Sequence, residues 1–320
     1  MVITHYRAVM TSPRPFRFGI QASNAPSRAE WVRLAKAAED NGFSCLTMPD
    51  HFGDQLAPVP AMMTAADVTT TLRVGALVFD NDYKHPVVLA KELATMDLLS
   101  DGRTEIGLGA GWMISDYEQA GIPYDAAGVR IDRFVEGLHI IKQAMQPGPF
   151  SFTGTHYTIT DYEGFPKPVQ QLPPVLIGGG GKRVLGIAAR EADIVGINAT
   201  LHAGKVGPEA IATITVEAVE EKVAIVREAA GERFDQIEMN IRAFMVNVTD
   251  DGANARAGLA GVLHVDQSMI DNTPFALIGS PNELIETLLA RRERFGFSYI
   301  IVGAEDVESF APVVAALNGK

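Results

Sequence analysis

The chain has 320 residues, 47% of them apolar and 21% charged, the balance of a globular protein with a full core in one large α/β domain or two small ones. Its net charge of −12 argues against nucleic acid or an anionic membrane as partner, although it leaves room for a local basic pocket. The single cysteine, Cys45, excludes an internal disulfide, and no apolar run reaches signal-peptide or membrane-span length, so a cytoplasmic protein is expected.

Strand and helix signals alternate along the chain. After an N-terminal extension of residues 1–15, Phe16–Ile20 reads as strand 1. Ser27-Arg-Ala-Glu30 is a capping box in which Ser27 accepts from the Glu30 amide and Glu30 reaches back. The helix it opens stops at Asn41-Gly42. Cys45–Met48 is strand 2, its thiol expected to be buried and inert, and Pro60 starts a short helix to Ala66. Arg73–Phe79 is strand 3, and Pro86 opens a helix to Leu99. Asp101-Gly102 turns into strand 4, Glu105–Gly109. Helix 4 covers Val129–Met145, with Arg130, Arg133 and Glu136 spaced for surface ion pairs. Prolines and a small hairpin at Phe152–Tyr157 interrupt the rhythm over residues 147–172. Val175–Ile177 is strand 5, followed by a helix from Lys182 that ends before Asp193. Ile194–Ile197 is strand 6, Pro208–Ala230 one long helix and Met239–Val248 strand 7. Residues 251–275 form a second insertion with helical character. Pro281 opens a helix, Ser298–Val302 is strand 8, and the last helix runs to Leu317.

Eight short strands rich in Val, Ile and Leu, without polar alternation and each followed by a helix, predict a single (β/α)8 TIM barrel over residues 16–320. Its insertions follow helix 4 and strand 7. In such a barrel the site lies at the C-terminal ends of the strands.

Four glycines, Gly178–Gly181, lie between the end of strand 5 at Ile177 and the helix start at Lys182. Glycine lets amides turn toward a ligand, and a helix N-terminus adds partial positive charge, so this segment is a candidate phosphate cradle. It is not a Walker loop, because Val184 follows Lys182-Arg183, and the same Val184 breaks a Gly-x-Gly-x-x-Gly reading. After strand 2, Asp50 and His51 fall on the same rim, where an imidazole can act as acid or base beside a carboxylate. For an isolated histidine, capping a loop is the simpler reading. After strand 3 comes Asp80-Asn-Asp-Tyr-Lys-His-Pro86, and after strand 4 Gly109-Ala-Gly-Trp-Met113, whose glycines allow a flat ligand close to the backbone. Trp112 is either a wall facing substrate or a cover over the core. His51, His85, His139, His156 and His202 show no metal-ligand spacing, and Ser115 lacks a nucleophile-elbow context.

With these residues assembled, the chain resembles the bacterial luciferase-like flavin and deazaflavin oxidoreductases over about residues 16–305. The resemblance rests on Glu39-x-x-Gly-Phe43, Pro49-Asp-His-Phe52, Val74-Gly75 and His85-Pro-Val87. It continues through Leu99-Ser-Asp-Gly-Arg103, Leu108-Gly-x-Gly-Trp112, Asp116-Tyr-Glu118 and Pro174-x-x-Ile-Gly-Gly-Gly180. The Asp-His-Phe element resembles the subgroup that uses coenzyme F420, with FMN as the alternative cofactor. The resemblance implies a tricyclic ring at the barrel mouth, against a bulge after strand 3 whose cis peptide would be Leu77–Val78. It implies the cofactor phosphate on Ile177 and Gly178–Gly181, Asp50 hydrogen-bonded to the ring, and His51 near the reactive carbon. Ala110, Gly111 and Ser115 would line the strand-4 side. The sugar-6-phosphate dehydrogenases of this family carry Trp and Glu where this chain has Gln55 and Trp112. That departure disfavours a sugar phosphate and suggests a less charged mouth and a more apolar substrate.

The favoured reading is a deazaflavin-dependent hydride-transfer oxidoreductase acting on a small organic molecule, with no metal. The alternatives are an FMN-dependent monooxygenase using reduced flavin and oxygen, and a non-catalytic flavin-binding relative; the Asp50-His51 pair and the glycine cradle weigh against the last. A homodimer is the assembly common among such proteins, and the sequence leaves the oligomeric state open.

Overall fold

A computed structural model of the chain describes residues 13–201 and 204–320. Most of the expected N-terminal extension, and His202, therefore lie outside the described residues. Eight parallel strands form the centre: β1 (Arg17–Gln21), β2 (Cys45–Met48), β3 (Arg73–Ala76), β4 (Thr104–Gly109), β5 (Val175–Gly179), β6 (Ile194–Ile197), β7 (Glu238–Arg242) and β8 (Phe297–Gly303). Each pairs with the next, and β8 returns to β1 with Gly19 opposite Ile301, so the sheet closes into the predicted barrel. Around it run α1 (Arg28–Asp40), α2 (Pro58–Asp67), α3 (Pro86–Leu99), α4 (Ala127–Met145), α5 (Lys182–Glu191), α6 (Val216–Ala230), α7 (Pro281–Phe295) and α8 (Val307–Leu317).

The main core fills the layer between strands and helices. A smaller cluster of Cys45, Leu176, Ile194, Tyr299 and Ile301 fills the barrel itself, and Leu77 and Val78 pack onto it. Burial pushes the Cys45 thiol pKa up, as an inert structural cysteine requires. Arg17 plugs the N-terminal end, 3.6 Å over the Tyr299 ring and 2.6 Å from both Glu105 and Glu238. Cavities of ≈ 570 Å³ beside this plug and ≈ 350 Å³ beside Arg256 and Arg291 have no lining residue in common with the mouth. Among the described residues no helix is long and apolar enough to cross a membrane.

Several expectations need correction. Ser27 does cap the Glu30 amide, but Glu30 pairs with Arg33 at 2.6 Å rather than reaching back. The second helix starts at Pro58, because proline fits the first helical turn as well there as at Pro60. The 208–230 stretch divides into Pro208–Ile211 and α6, and a short helix at Ile114–Ala120 was not foreseen. The hairpin spans Phe150–Thr153 and Thr158–Tyr162. The Met239–Val248 run leaves the barrel after Arg242, and Met245–Val248 pairs with Ala276–Gly279 in a side sheet. On α4, Arg130 is buried, 4.1 Å over the Tyr124 ring, while Glu136 accepts the Thr155, His156 and Tyr157 amides. Neither makes a surface ion pair.

Two residues of the family-like pattern serve the entry to β3 rather than the site. Arg103 donates to the Ala66 and Leu72 carbonyls at 2.8 and 2.9 Å. Glu39 accepts the Thr70 and Leu72 amides at 2.8 and 2.9 Å. Burial pushes the Glu39 pKa up, but the amides of Thr71, Leu72 and Thr70 outweigh it and hold the value at about 2. A lowered carboxylate pKa stabilises the fold above the ordinary value of 4.5 and loses that effect as pH falls toward about 2. Glu39→Gln is expected to cost about 1 kcal/mol at neutral pH after solvent screening, with the deficit shrinking on acidification. Urea melts at neutral and acidic pH check this; a deficit independent of pH contradicts the assignment.

Candidate active site

The C-terminal ends of β2, β3 and β4 bring His51, Asp116 and Tyr83 together. His51 Nδ1 lies 2.6 Å from Asp116 Oδ2, and the Tyr83 hydroxyl donates to the same oxygen at 3.0 Å. Asp116 is buried in the first turn of the Ile114–Ala120 helix, whereas the His51 side chain keeps 24% of its exposure. An ionised carboxylate only accepts, so Nδ1 carries the proton, and Nε2 has no partner among the described residues. This is more than a loop cap. The imidazole is held in one tautomer by a residue 65 positions away. Trp112 meets the His51 ring edge-on, with centroids 5.7 Å apart, and so borders the site instead of covering the core.

Asp50 stands beside this pair. Its Oδ2 accepts the Asp80 amide at 3.2 Å, and burial raises its pKa despite that bond. Burial also pushes Asp80 up to about 7, against the Asp82 amide. The Tyr117 hydroxyl lies 3.0 Å from Asp80 Oδ2 and 3.1 Å from Asp82 Oδ2. Arg133 closes the far side, 2.7 Å from Asp82 and 2.9 Å from Asp125. The mouth is therefore rich in carboxylates, which corrects the expectation of a less charged opening.

The segment Leu77–Val78 interrupts β3. Its peptide bond is cis, Phe79 and Asp80 resume pairing with β4, and both side chains are half-buried on top of the barrel core. Val78 turns toward β4 and β5: a Cβ on Gly109 would meet Val78 Cγ2 at 2.6 Å, and one on Gly178 would lie 3.7 Å from Cγ1. At Gly111, with φ of 73°, a Cβ would run into the Tyr117 hydroxyl and the Asp80 carboxylate. What crowds Gly109 and Gly111 is the protein itself, so these two glycines serve the fold, not the close approach of a ligand.

The four-glycine run divides into unequal parts. Gly178 and Gly179 complete β5, and Ile177 is buried in the main core and presents no side chain to the mouth. A Cβ on Gly180 would run into the Ala199 and Asn198 carbonyls, whereas at Gly181 it would meet nothing within 4 Å. Gly181 is the N-cap of α5 and supplies no side-chain cap. The amides of Gly180, Gly181, Lys182 and Arg183 have no acceptor among the described residues. Unpaired amides at the start of a helix are the donor set a phosphate takes.

The remaining candidates are placed less tellingly. Gln55 Nε2 donates to the Pro49 carbonyl at 2.9 Å and ties its own loop. Ala110 packs against the core, and Ser115 is half-buried in the helix carrying Asp116. The sequence places Asp116 and Tyr83 in motifs without giving either a role; the signal for Asp116 is an acidic residue shortly after Gly109-Ala-Gly-Trp112. Among the described residues no group of three or more His, Cys, Asp or Glu is arranged to hold a metal ion.

Known proteins of similar sequence and fold belong to one family. Residues 9–299 match a family model described as luciferase-like monooxygenase. An FMNH(2)-dependent dimethylsulfone monooxygenase of Pseudomonas putida is 26% identical over 257 residues, 77% of this chain and 66% of that protein. An F420-dependent glucose-6-phosphate dehydrogenase of Amycolatopsis mediterranei is 28% identical over 170 residues, 51% of each chain. The chain thus spans between about half and two-thirds of these relatives. The coenzyme F420-dependent tetrahydromethanopterin reductase of Methanopyrus kandleri shares the fold, with a TM-score of 0.78, 20% identity, and coverage of 95% of this chain and 99% of that one.

Proposed function

We propose that this chain, which belongs to the luciferase-like monooxygenase family, is an oxidoreductase that moves a hydride between coenzyme F420 and a small organic molecule at the barrel mouth. The observation that carries the reading is His51, fixed by Asp116 at 2.6 Å with Nε2 free, on the strand next to the Leu77–Val78 platform. The residues fit such a cofactor. Leu77 and Val78 offer a half-buried apolar face for a planar ring, Asp50 a carboxylate at its edge, and the unpaired amides at Gly180, Gly181 and α5 a seat for phosphate.

When bound, a 5-deazaflavin supplies hydride chemistry and reacts poorly with oxygen. The chain's own part is to orient and to move protons. Asp116 and Tyr83 hold the imidazole; His51 Nε2, bare in the neutral ring, takes the proton from a substrate oxygen or nitrogen as the substrate gives up hydride, and in the reverse direction the imidazolium so formed, stabilised by Asp116, returns it. Trp112, edge-on to the imidazole, borders the strand-4 side of His51.

The second reading, an FMN-dependent monooxygenase, is favoured by the dimethylsulfone monooxygenase, which aligns with 77% of this chain against 51% for the F420-dependent dehydrogenase. Fluorescence titration separates the two. Trp31 is buried and hydrogen-bonded to the Ala61 carbonyl, so Trp112, beside His51, is the reporter. Micromolar quenching by F420 with no response to FMN is expected. The opposite result establishes the monooxygenase reading, and binding of neither removes both.

A further inference from the structure

Strand β7 ends at Arg242, whose side chain turns inward over the top of the barrel. Its Nε donates to Gln21 Oε1 on β1 at 3.1 Å, and Gln21 Nε2 donates to the Leu77 carbonyl after β3 at 3.2 Å. Side chains from two odd-numbered strands and the backbone carbonyl that follows a third thus meet at one level, in keeping with the way alternate strands fill such a barrel. That layer is the floor of the mouth beside the Leu77–Val78 platform. Neither outer nitrogen of the guanidinium has an acceptor among the described residues, and Nη1 is shut off from solvent. No carboxylate pairs with it either; Glu305 and Asp306, just after β8, act on it only through their field. Arg17 and Arg133, by contrast, pair with carboxylates, Arg291 donates to the Thr273, Pro274 and Ala276 carbonyls, and Arg130, whose Nε is also unpaired, still donates from both outer nitrogens to the Asp125 and Gly111 carbonyls.

Holding a partly buried cation without counter-charge is costly, and its Nη1, shut off from solvent with no acceptor, is a donor that an anionic ligand can satisfy. We propose that Arg242 recognises the carboxylate of an organic acid bound in the mouth, which makes such acids the substrate class. The free edge of one guanidinium matches a planar monoanion through two parallel hydrogen bonds. A phosphate dianion fits less well, because Glu305 and Asp306 repel the second charge. Phe244, whose ring centroid is 5.0 Å from Arg242 Cζ and which is itself half-exposed, offers an apolar face to the body of the acid.

This inference rests on the oxidoreductase reading only for the word substrate. The test titrates cofactor-loaded enzyme with sodium benzoate, acetate and phenylacetate, the neutral benzamide, and inorganic phosphate at fixed ionic strength, following ring absorbance. Benzoate is expected to bind the wild type and to bind Arg242→Gln about tenfold or more weakly, while benzamide is indifferent to the substitution. Equal benzoate affinity in the two folded proteins overturns the proposal. So does wild-type enzyme that binds benzamide or phosphate as well as benzoate, or that binds none of acetate, benzoate and phenylacetate. Those wild-type comparisons stand even if Arg242→Gln loses the native circular dichroism spectrum. If neither F420 nor FMN binds, the oxidoreductase reading fails, and the same series followed by tryptophan fluorescence decides the carboxylate site by itself.

Discussion

His51→Ala is expected to lower turnover by about a hundredfold or more, the usual reach of a positioned general acid or base, while cofactor affinity and thermal stability stay near wild type. The imidazole belongs to the mouth, not to either core cluster, so its removal opens no cavity in the packed interior. Asp116→Asn tests the same unit from behind. The amide is nearly isosteric but no longer demands a proton on Nδ1, so His51 is free to take the tautomer that places the proton on Nε2. A fall in kcat with unchanged KM, together with an altered pH profile, is the signature of lost positioning. Tyr83→Phe should act in the same direction and more weakly, since it removes one of two bonds to Asp116 Oδ2. Intact turnover in folded His51→Ala would return His51 to the role of a loop cap.

The sequence was most legible where one local signal decides an element. Pro86 and the residues after it define α3, and Ile194–Ile197 forms a strand with the expected ends, because a proline start or a short apolar run admits few alternatives. It was least legible where the partner of a residue lies far along the chain. Nothing local in Met239–Val248 shows that Ala243 and Phe244 carry the strand out of the barrel to meet Ala276–Gly279. The charges of α4 look like those of a solvated face. Arg130 is covered only because Tyr124 folds over it, and Arg133 is drawn to Asp82, 51 residues upstream. The site shows the same limit. The rim residues Asp50 and His51 follow from strand order, but the carboxylate that makes His51 useful comes from the next strand but one. The glycine run looks like one feature in the sequence, whereas Gly178, Gly179 and Gly180 face three different neighbours and Gly181 faces open space.

That difference decides how the cradle is tested. Gly180→Val is a poor probe, since its Cβ would run into the Ala199 and Asn198 carbonyls, and backbone does not yield cheaply. At Gly179 a Cβ would come within 2.6 Å of Val184 Cγ1, so loss of binding there would be confounded with a shift of α5. Gly181 has φ of −87° and ψ of 144°, which any residue adopts, and open space where its side chain would project. Gly181→Val should therefore leave the melting temperature within a few degrees of wild type. A phosphate seated on the amides of Gly181, Lys182 and Arg183 would then meet a branched side chain at the seat itself. Losing two charge-assisted hydrogen bonds of about 1.5 kcal/mol each corresponds to roughly a hundredfold rise in cofactor Kd. Gly181→Ala, with a single methyl, should fall between. The phosphate-free riboside of the same deazaflavin ring is the control: if the phosphate of F420 sits there, binding of the riboside should be nearly blind to Gly181→Val. Equal losses for F420 and its phosphate-free riboside would mean that the substitution disturbs the ring site, and unchanged F420 affinity would remove the phosphate from the start of α5 altogether.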